Sequence, residues 1–71
     1  MYYAPIYKKL GTRIEELRCN TKLNQQQFAY KVGISPANYW EIVNGRRNIT
    51  IKTAAKIAEA LEVDIVELFK P

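Results

Sequence analysis

The chain has 71 residues, 48% apolar and 25% charged, with 11 Lys and Arg against 7 Asp and Glu, a net charge of +4 and a pI near 9.4. This length and ordinary composition predict one domain with a small core and argue against disorder. His is absent and Cys19 is the single cysteine, which excludes His-dependent catalytic triads, His/Cys zinc sites and disulfide frameworks. A soluble protein of the reducing cytoplasm is expected. The start, Met1-Tyr2-Tyr3-Ala4-Pro5-Ile6, lacks the pattern of a signal peptide, and no apolar run approaches the roughly 18 residues of a membrane helix.

Charge is unevenly spread. Residues 1–34 carry a net +4, residues 35–52 a net +2 and residues 53–71 a net −2. One basic and one acidic end suit an oriented contact with a polyanion, although charge alone is equally consistent with a solvated surface.

Apolar spacing is helical throughout. Tyr7, Leu10, Ile14 and Leu17 form one stripe on a first helix that ends near Cys19 or Asn20. Asn24 reads as the N-cap of a second helix, with Gln27 completing a capping box and Phe28, Ala29 and Val32 facing inward. Gly33 stops it, being free to adopt positive φ. Ser35 caps a third helix that has Pro36 at its first position, Tyr39, Ile42 and Val43 on its inner face, and Asn44-Gly45 at its end. Thr50 caps a fourth, with Ile51, Ala54, Ala55, Ile57, Ala58 and Leu61 inward. Asp64 and Glu67 suggest a second capping box opening a fifth helix that buries Ile65, Leu68 and Phe69. The expected class is all-α, a compact five-helix domain. Residues 1–9 would be an N-terminal extension and the start of helix 1, and residues 10–69 the domain proper.

The Gly33-Ile34-Ser35 link is too short for its flanking helices to fold back antiparallel, so they must cross steeply in a helix-turn-helix over residues 25–44. Small Ala29 permits close approach, and Phe28, Val32, Ile34, Tyr39 and Ile42 clamp the pair. The run Leu23-Asn24-Gln25-Gln26-Gln27-Phe28-Ala29-Tyr30-Lys31-Val32-Gly33-Ile34-Ser35 resembles the core of lambda repressor-like (Cro and XRE-type) helix-turn-helix domains. The likeness continues through Asn44-Gly45-Arg46-Arg47 and Ile57-Ala58-Glu59-Ala60-Leu61 to Glu67-Leu68-Phe69. Arg47-Asn48-Ile49-Thr50-Ile51-Lys52 is similar to a run in restriction–modification controller proteins.

The resemblance implies sequence-specific binding of double-stranded DNA by a transcriptional regulator, with residues 36–44 as recognition helix in the major groove and a dimer reading an inverted repeat. Carried onto this chain, Ala37, Asn38, Trp40, Glu41 and Asn44 become the base or groove contacts. Ala37 can offer a methyl to thymine, and Glu41 can accept from cytosine N4. Trp40 can donate its indole N–H to a phosphate or pack over the neighbouring loop; both readings stand. Gln25 and Gln26, at a helix N-terminus, and Arg46, Arg47, Asn48 and Lys52, around the next one, are the phosphate contacts. Many members carry a glutamate where Val43 stands, paired with a first-helix arginine that corresponds to Arg18. Arg18 is therefore free to face DNA or Glu15. Glu62 replaces a glycine common in the family.

One small module reads too few base pairs for useful specificity, so a homodimer is expected, with Ile65, Leu68 and Phe69 in the interface. The Tyr2-Tyr3 start is either a frayed terminus or an arm on DNA or a partner. No cofactor, metal, small-molecule ligand or membrane partner is expected, and no constellation supports an enzyme. The alternative is an antitoxin-type or partner-binding module on the same fold, using Trp40 and the acidic end.

Overall fold

The computed structural model describes residues 3–70, with side chains from Ile6 onward. Four helices, α1 (Tyr3–Cys19), α2 (Gln25–Val32), α3 (Pro36–Val43) and α4 (Ile51–Leu61), are followed by a single 3₁₀ segment, Ile65–Phe69. There is no strand among the described residues. Of the expected Tyr2-Tyr3 arm, Tyr2 and the Tyr3 side chain lie outside the described part.

The helix boundaries follow from local chemistry. The Asn24 side chain accepts from Gln27 N–H at 2.8 Å while Gln27 Oε1 accepts from Asn24 N–H at 2.9 Å. This satisfies two donors that the first turn of α2 would leave open. Gly33 ends α2 at φ 95°, its N–H bonded to Ala29 O, a conformation a side chain would strain. Ser35 Oγ and Thr50 Oγ1 cap α3 and α4 by accepting from Asn38 N–H and Thr53 N–H, each at 3.1 Å.

The core lies where α1, α2, α3 and α4 meet. Ile14, Phe28, Tyr39 and Ile57 are fully buried there, with the Phe28 and Tyr39 rings edge to face at 5.5 Å. Leu10 and Ile14 of the α1 stripe are buried, and Leu17 packs against the core from its edge. α1 lies so close to the end of α3 that a Cβ on Gly11 would stand 2.3 Å from the Val43 carbonyl oxygen.

Several expectations at the C-terminal end of the fold need correction. The fifth element is one 3₁₀ segment of five residues, not an α-helix. Its Asp64–Glu67 capping box does not close: Asp64 Oδ1 accepts from Val66 N–H at 3.0 Å, while the Glu67 carboxylate is drawn to Lys70 Nζ at 2.7 Å and Arg13 Nη2 at 3.3 Å. Leu68, expected at a dimer interface, is only 1% exposed and belongs to this domain's own core. Ile65 is half-buried against the same core, and Phe69 remains 56% exposed together with Val66. On α4, Ile51 and Ala55 point outward. Ala55 lies about 100° around the helix from Ala54, off the Ala54–Ile57–Ala58–Leu61 face, and Ile51 occupies the first turn with most of its surface in solvent.

Candidate nucleic-acid interface

The N-terminal ends of α2 and α3 sit side by side around an open concavity lined by Arg18, Asn24, Gln25, Gln26, Pro36, Ala37 and Trp40. The α2 cap occupies the Gln27 N–H and leaves the N–H groups of Gln25 and Gln26 pointing out of the helix end. Such a helix end favours an anion, through its free donors and the positive end of its dipole. Gln25 and Gln26, two of the expected phosphate contacts, are thus brought beside Ala37 and Trp40, two of the expected groove contacts.

One wall of this concavity is held by a cluster centred on Glu15. Its carboxylate accepts from Arg18 Nε at 2.9 Å and Nη2 at 3.0 Å, from Gln25 Nε2 at 2.9 Å and from the Tyr39 hydroxyl at 2.5 Å. Arg18 Nη1 adds a 2.6 Å bond to Leu23 O. Burial works to raise the Glu15 pKa, but the hydrogen bonds from Arg18, Tyr39 and Gln25 together outweigh it, so the group lies below the ordinary carboxylate value. The Tyr39 hydroxyl is pushed far upward, first by burial and then by its bond to the Glu15 carboxylate. Of the two options left for Arg18 by the loss of an acid at position 43, it takes Glu15. The cluster ties α1 to α2 and α3, and it holds the Gln25 side chain by its amide.

The far end of α3 carries two more pairs. The Arg46 guanidinium stands over the Trp40 ring, 5.3 Å from its centroid. Arg47 donates from Nε to Glu41 Oε1 at 2.9 Å, and its Nη2 forms an ion pair with the same oxygen at 2.8 Å. Asn44 Nδ2 donates to Trp40 O at 2.8 Å, and Asn38 is half-buried beside the Ser35 cap. Trp40 is 46% exposed, with its loop-side partner supplied by Arg46. Asn48, in the loop, and Lys52, in the first turn of α4, are exposed. The groove contacts and the basic loop are therefore neighbours. Ile65, Leu68 and Phe69 belong to the 3₁₀ segment, an element separate from this surface.

Two positions that shape the site are not marked by the sequence reading. Tyr39 packs in the core and also bonds Glu15 through its hydroxyl; a buried tyrosine needs a hydroxyl partner, and the acids available on α1 are the signal. Gly11 lies mid-helix, where glycine is unfavourable unless another backbone approaches closely.

A capped helix, a glycine turn and a second helix with an outward N-terminal end, flanked by cations, define a helix-turn-helix DNA-binding domain. The helix-turn-helix family of Cro/XRE type matches residues 14–68, and the chain belongs to that family. It is similar to the control protein C.MunI of a Mycoplasma species, 32% identical over 62 residues that cover 86% of this chain and 84% of that protein. It is also similar to the uncharacterized HTH-type transcriptional regulator y4dJ of Sinorhizobium fredii, 34% identical over 64 residues, 90% of this chain and 83% of that one. Among solved structures, the restriction-modification controller protein C.AhdI from Aeromonas hydrophila superposes with a TM-score of 0.91 at 29% identity, covering 97% of this chain and all of that one. The chain is a DNA-binding transcriptional regulator of the helix-turn-helix class. No helix among the described residues is long and apolar enough to cross a membrane.

Proposed function

We propose that this regulator acts as a homodimer that sets α3 of each subunit into successive major grooves of an inverted-repeat operator, in the manner of a repressor or autoregulatory controller. The observation that carries the reading is the shared, cation-flanked concavity at the N-termini of α2 and α3. In it the Gln25 and Gln26 end of α2 meets a phosphate while the first turns of α3 meet base edges. Arg46, Arg47, Asn48 and Lys52 add phosphate contacts beyond the end of α3. The controller subtype is supported by the likeness to C.MunI and C.AhdI, the latter superposing over 97% of this chain. A bacterial or phage-type cytoplasmic setting goes with that reading.

For the dimer contact we retain Phe69 and the outer side of Ile65 and add Val66, since Phe69 and Val66 are each 56% exposed on the 3₁₀ segment. Selection from a randomised duplex pool at physiological salt tests the whole reading. Enrichment of an inverted repeat with half-sites about one helical turn apart is expected. Equal affinity for the selected and scrambled duplexes would refute it. Sedimentation velocity across a concentration series tests the dimer. A monomer at tens of micromolar, with and without the selected duplex, would overturn that part.

A further inference from the structure

The recognition helix is unusual in what it leaves available for reading bases. In a helix-turn-helix the N-terminal part of the second helix reaches the base edges. Here the outward side chains of that part are Pro36 and Ala37, followed one turn later by Trp40. Pro36 has no N–H and Ala37 has no polar atom. Ser35, the one hydroxyl beside them, is committed to capping Asn38 N–H at 3.1 Å.

Toward the end of α3 the polar side chains Glu41 and Asn44 are paired within the protein in the free state, while Asn38 is half-buried beside the Ser35 cap. Arg47 donates from Nε to Glu41 Oε1 and forms an ion pair with it, and the Asn44 amide group donates to Trp40 O. Arg46 stands over the Trp40 ring, so the indole is held in place by its own loop. The surface offered to the groove is therefore largely apolar, the Trp40 indole N–H being its polar edge, with cationic or amide groups on both sides of it: Arg18, Gln25 and Gln26 across the concavity and Arg46 behind the ring.

Base edges in the major groove present hydrogen-bond donors and acceptors and one apolar group, the thymine C5-methyl. Among base edges, an apolar patch seated between phosphate-binding groups matches that feature. We infer that Ala37 and Trp40 read thymine methyl groups, and that each half-site owes much of its sequence preference to one or two thymines. The inference rests on the proposed docking of α3 in the major groove. Burying one methyl corresponds to about a fourfold gain in affinity at 25 °C. Two symmetry-related methyls in a palindrome then give about fifteenfold.

The test uses the whole chain and a duplex enriched from a randomised pool, resynthesised with deoxyuridine replacing each thymidine in turn. Uracil pairs as thymine does and lacks only the methyl. A loss of about fourfold is expected at one or two positions per half-site, with little change elsewhere. At those positions Ala37→Gly or Trp40→Ala should bind the thymine and uracil duplexes alike, with helicity by circular dichroism matching the unmodified protein. Equal binding of every uracil duplex by the unmodified protein would overturn the inference without recourse to a variant. So would discrimination that survives both substitutions, or a selected half-site without thymine. If no sequence is enriched, the DNA-docking reading fails and this inference with it. A selected duplex indifferent to its methyls removes this inference alone.

Discussion

The Glu15 cluster makes a quantitative demand on stability. Replacing Glu15 with alanine removes the acceptor for the Tyr39 hydroxyl, for two Arg18 donors and for the Gln25 amide. These losses differ in weight. Tyr39 is 0% exposed, so its hydroxyl is left without an accessible partner, at a cost of about 2 kcal/mol for a buried donor. Arg18 keeps its bond to Leu23 O, and Gln25 can turn to water, so that side of the cluster adds about 1 kcal/mol. The expected loss for Glu15→Ala is therefore about 3 kcal/mol, a large part of the several kcal/mol that hold a domain of this size. In urea denaturation, at a slope of about 1 kcal/mol per molar, the midpoint should fall by about 3 M.

A double-mutant cycle isolates the contact. Tyr39→Phe removes the hydroxyl and should cost about 1.5 kcal/mol alone. In the Glu15→Ala background it should cost nothing or gain slightly, since the orphaned donor disappears. The coupling energy is then about 1.5 kcal/mol or more. Additive effects within about 0.5 kcal/mol, or a Glu15→Ala loss under about 1 kcal/mol, would refute the argument.

The pH dependence has a definite sign. Glu15 titrates below its ordinary range when folded, so the unfolded chain takes up the proton more readily. The stabilisation is present above the unfolded carboxylate pKa, near about 4.3, and is lost as pH falls through the lower folded value. Glu67 is lowered as well, chiefly by its bond to Lys70, and it titrates in both proteins. The stability difference between the unmodified protein and Glu15→Ala should thus shrink below about pH 4. A difference that stays constant down to pH 2.5 would contradict the assignment.

Gly11→Ala places a methyl 2.3 Å from the Val43 carbonyl oxygen and 2.6 Å from its carbon, backbone atoms that cannot swing aside. Despite a helix-propensity gain of about 1 kcal/mol, a net loss of about 2 kcal/mol is expected from thermal or urea unfolding, and a stabilised variant would show the contact to be looser. Glu62 ends α4 at φ 60°, ψ 41°, and its 3.9 Å approach to Lys31 is exposed, so Glu62→Gly should raise stability by about 0.5–1 kcal/mol once the added unfolded-state freedom is counted. Calorimetry showing a lowered transition temperature would count against that. Replacing Arg46 and Arg47 together with alanine should weaken binding to all duplexes and reduce the salt slope by about 2 per subunit, about 4 for the dimer, whereas an altered sequence preference would place them on bases.

Features specified by neighbouring residues were legible in the sequence, and features specified by distant ones were not. Asn24, Gln27, Gly33, Ser35 and Pro36 act within one turn of themselves, so the boundaries of α2 and α3 could be read directly. Val43 in place of an acid was a legible departure, and Glu15, three residues before Arg18, was a legible substitute. The last element was not legible in the same way. Five residues cover too few turns for periodicity to tell Leu68 from Phe69, and the fate of the Glu67 side chain depends on Arg13, 54 residues earlier. Gly11 fits the same pattern, since its reason is the Val43 backbone on another helix.

In the candidate site, the sequence marks Glu41 and Arg47 as separate candidates for DNA contact and does not reveal their pairing, because it depends on how the loop after Gly45 returns toward α3. The pairing also bears on function. Both side chains are more than two-fifths exposed, and an exposed ion pair contributes at most about 1 kcal/mol. In the proposed docking a phosphate can compete for Arg47 at little cost, and doing so would release a carboxylate on the side of α3 assigned to the groove. Glu41 then becomes available to accept from cytosine N4 only after Arg47 has found the backbone. On this view apolar contact by Ala37 and Trp40 is present from the first encounter, while hydrogen-bond readout by Glu41 follows engagement of the loop. Arg47→Ala tests the order: it should weaken nonspecific binding while leaving Glu41 unpaired in the free protein. If instead it left affinity for scrambled duplexes and the salt slope unchanged, Arg47 would be a partner of Glu41 alone and not a phosphate contact.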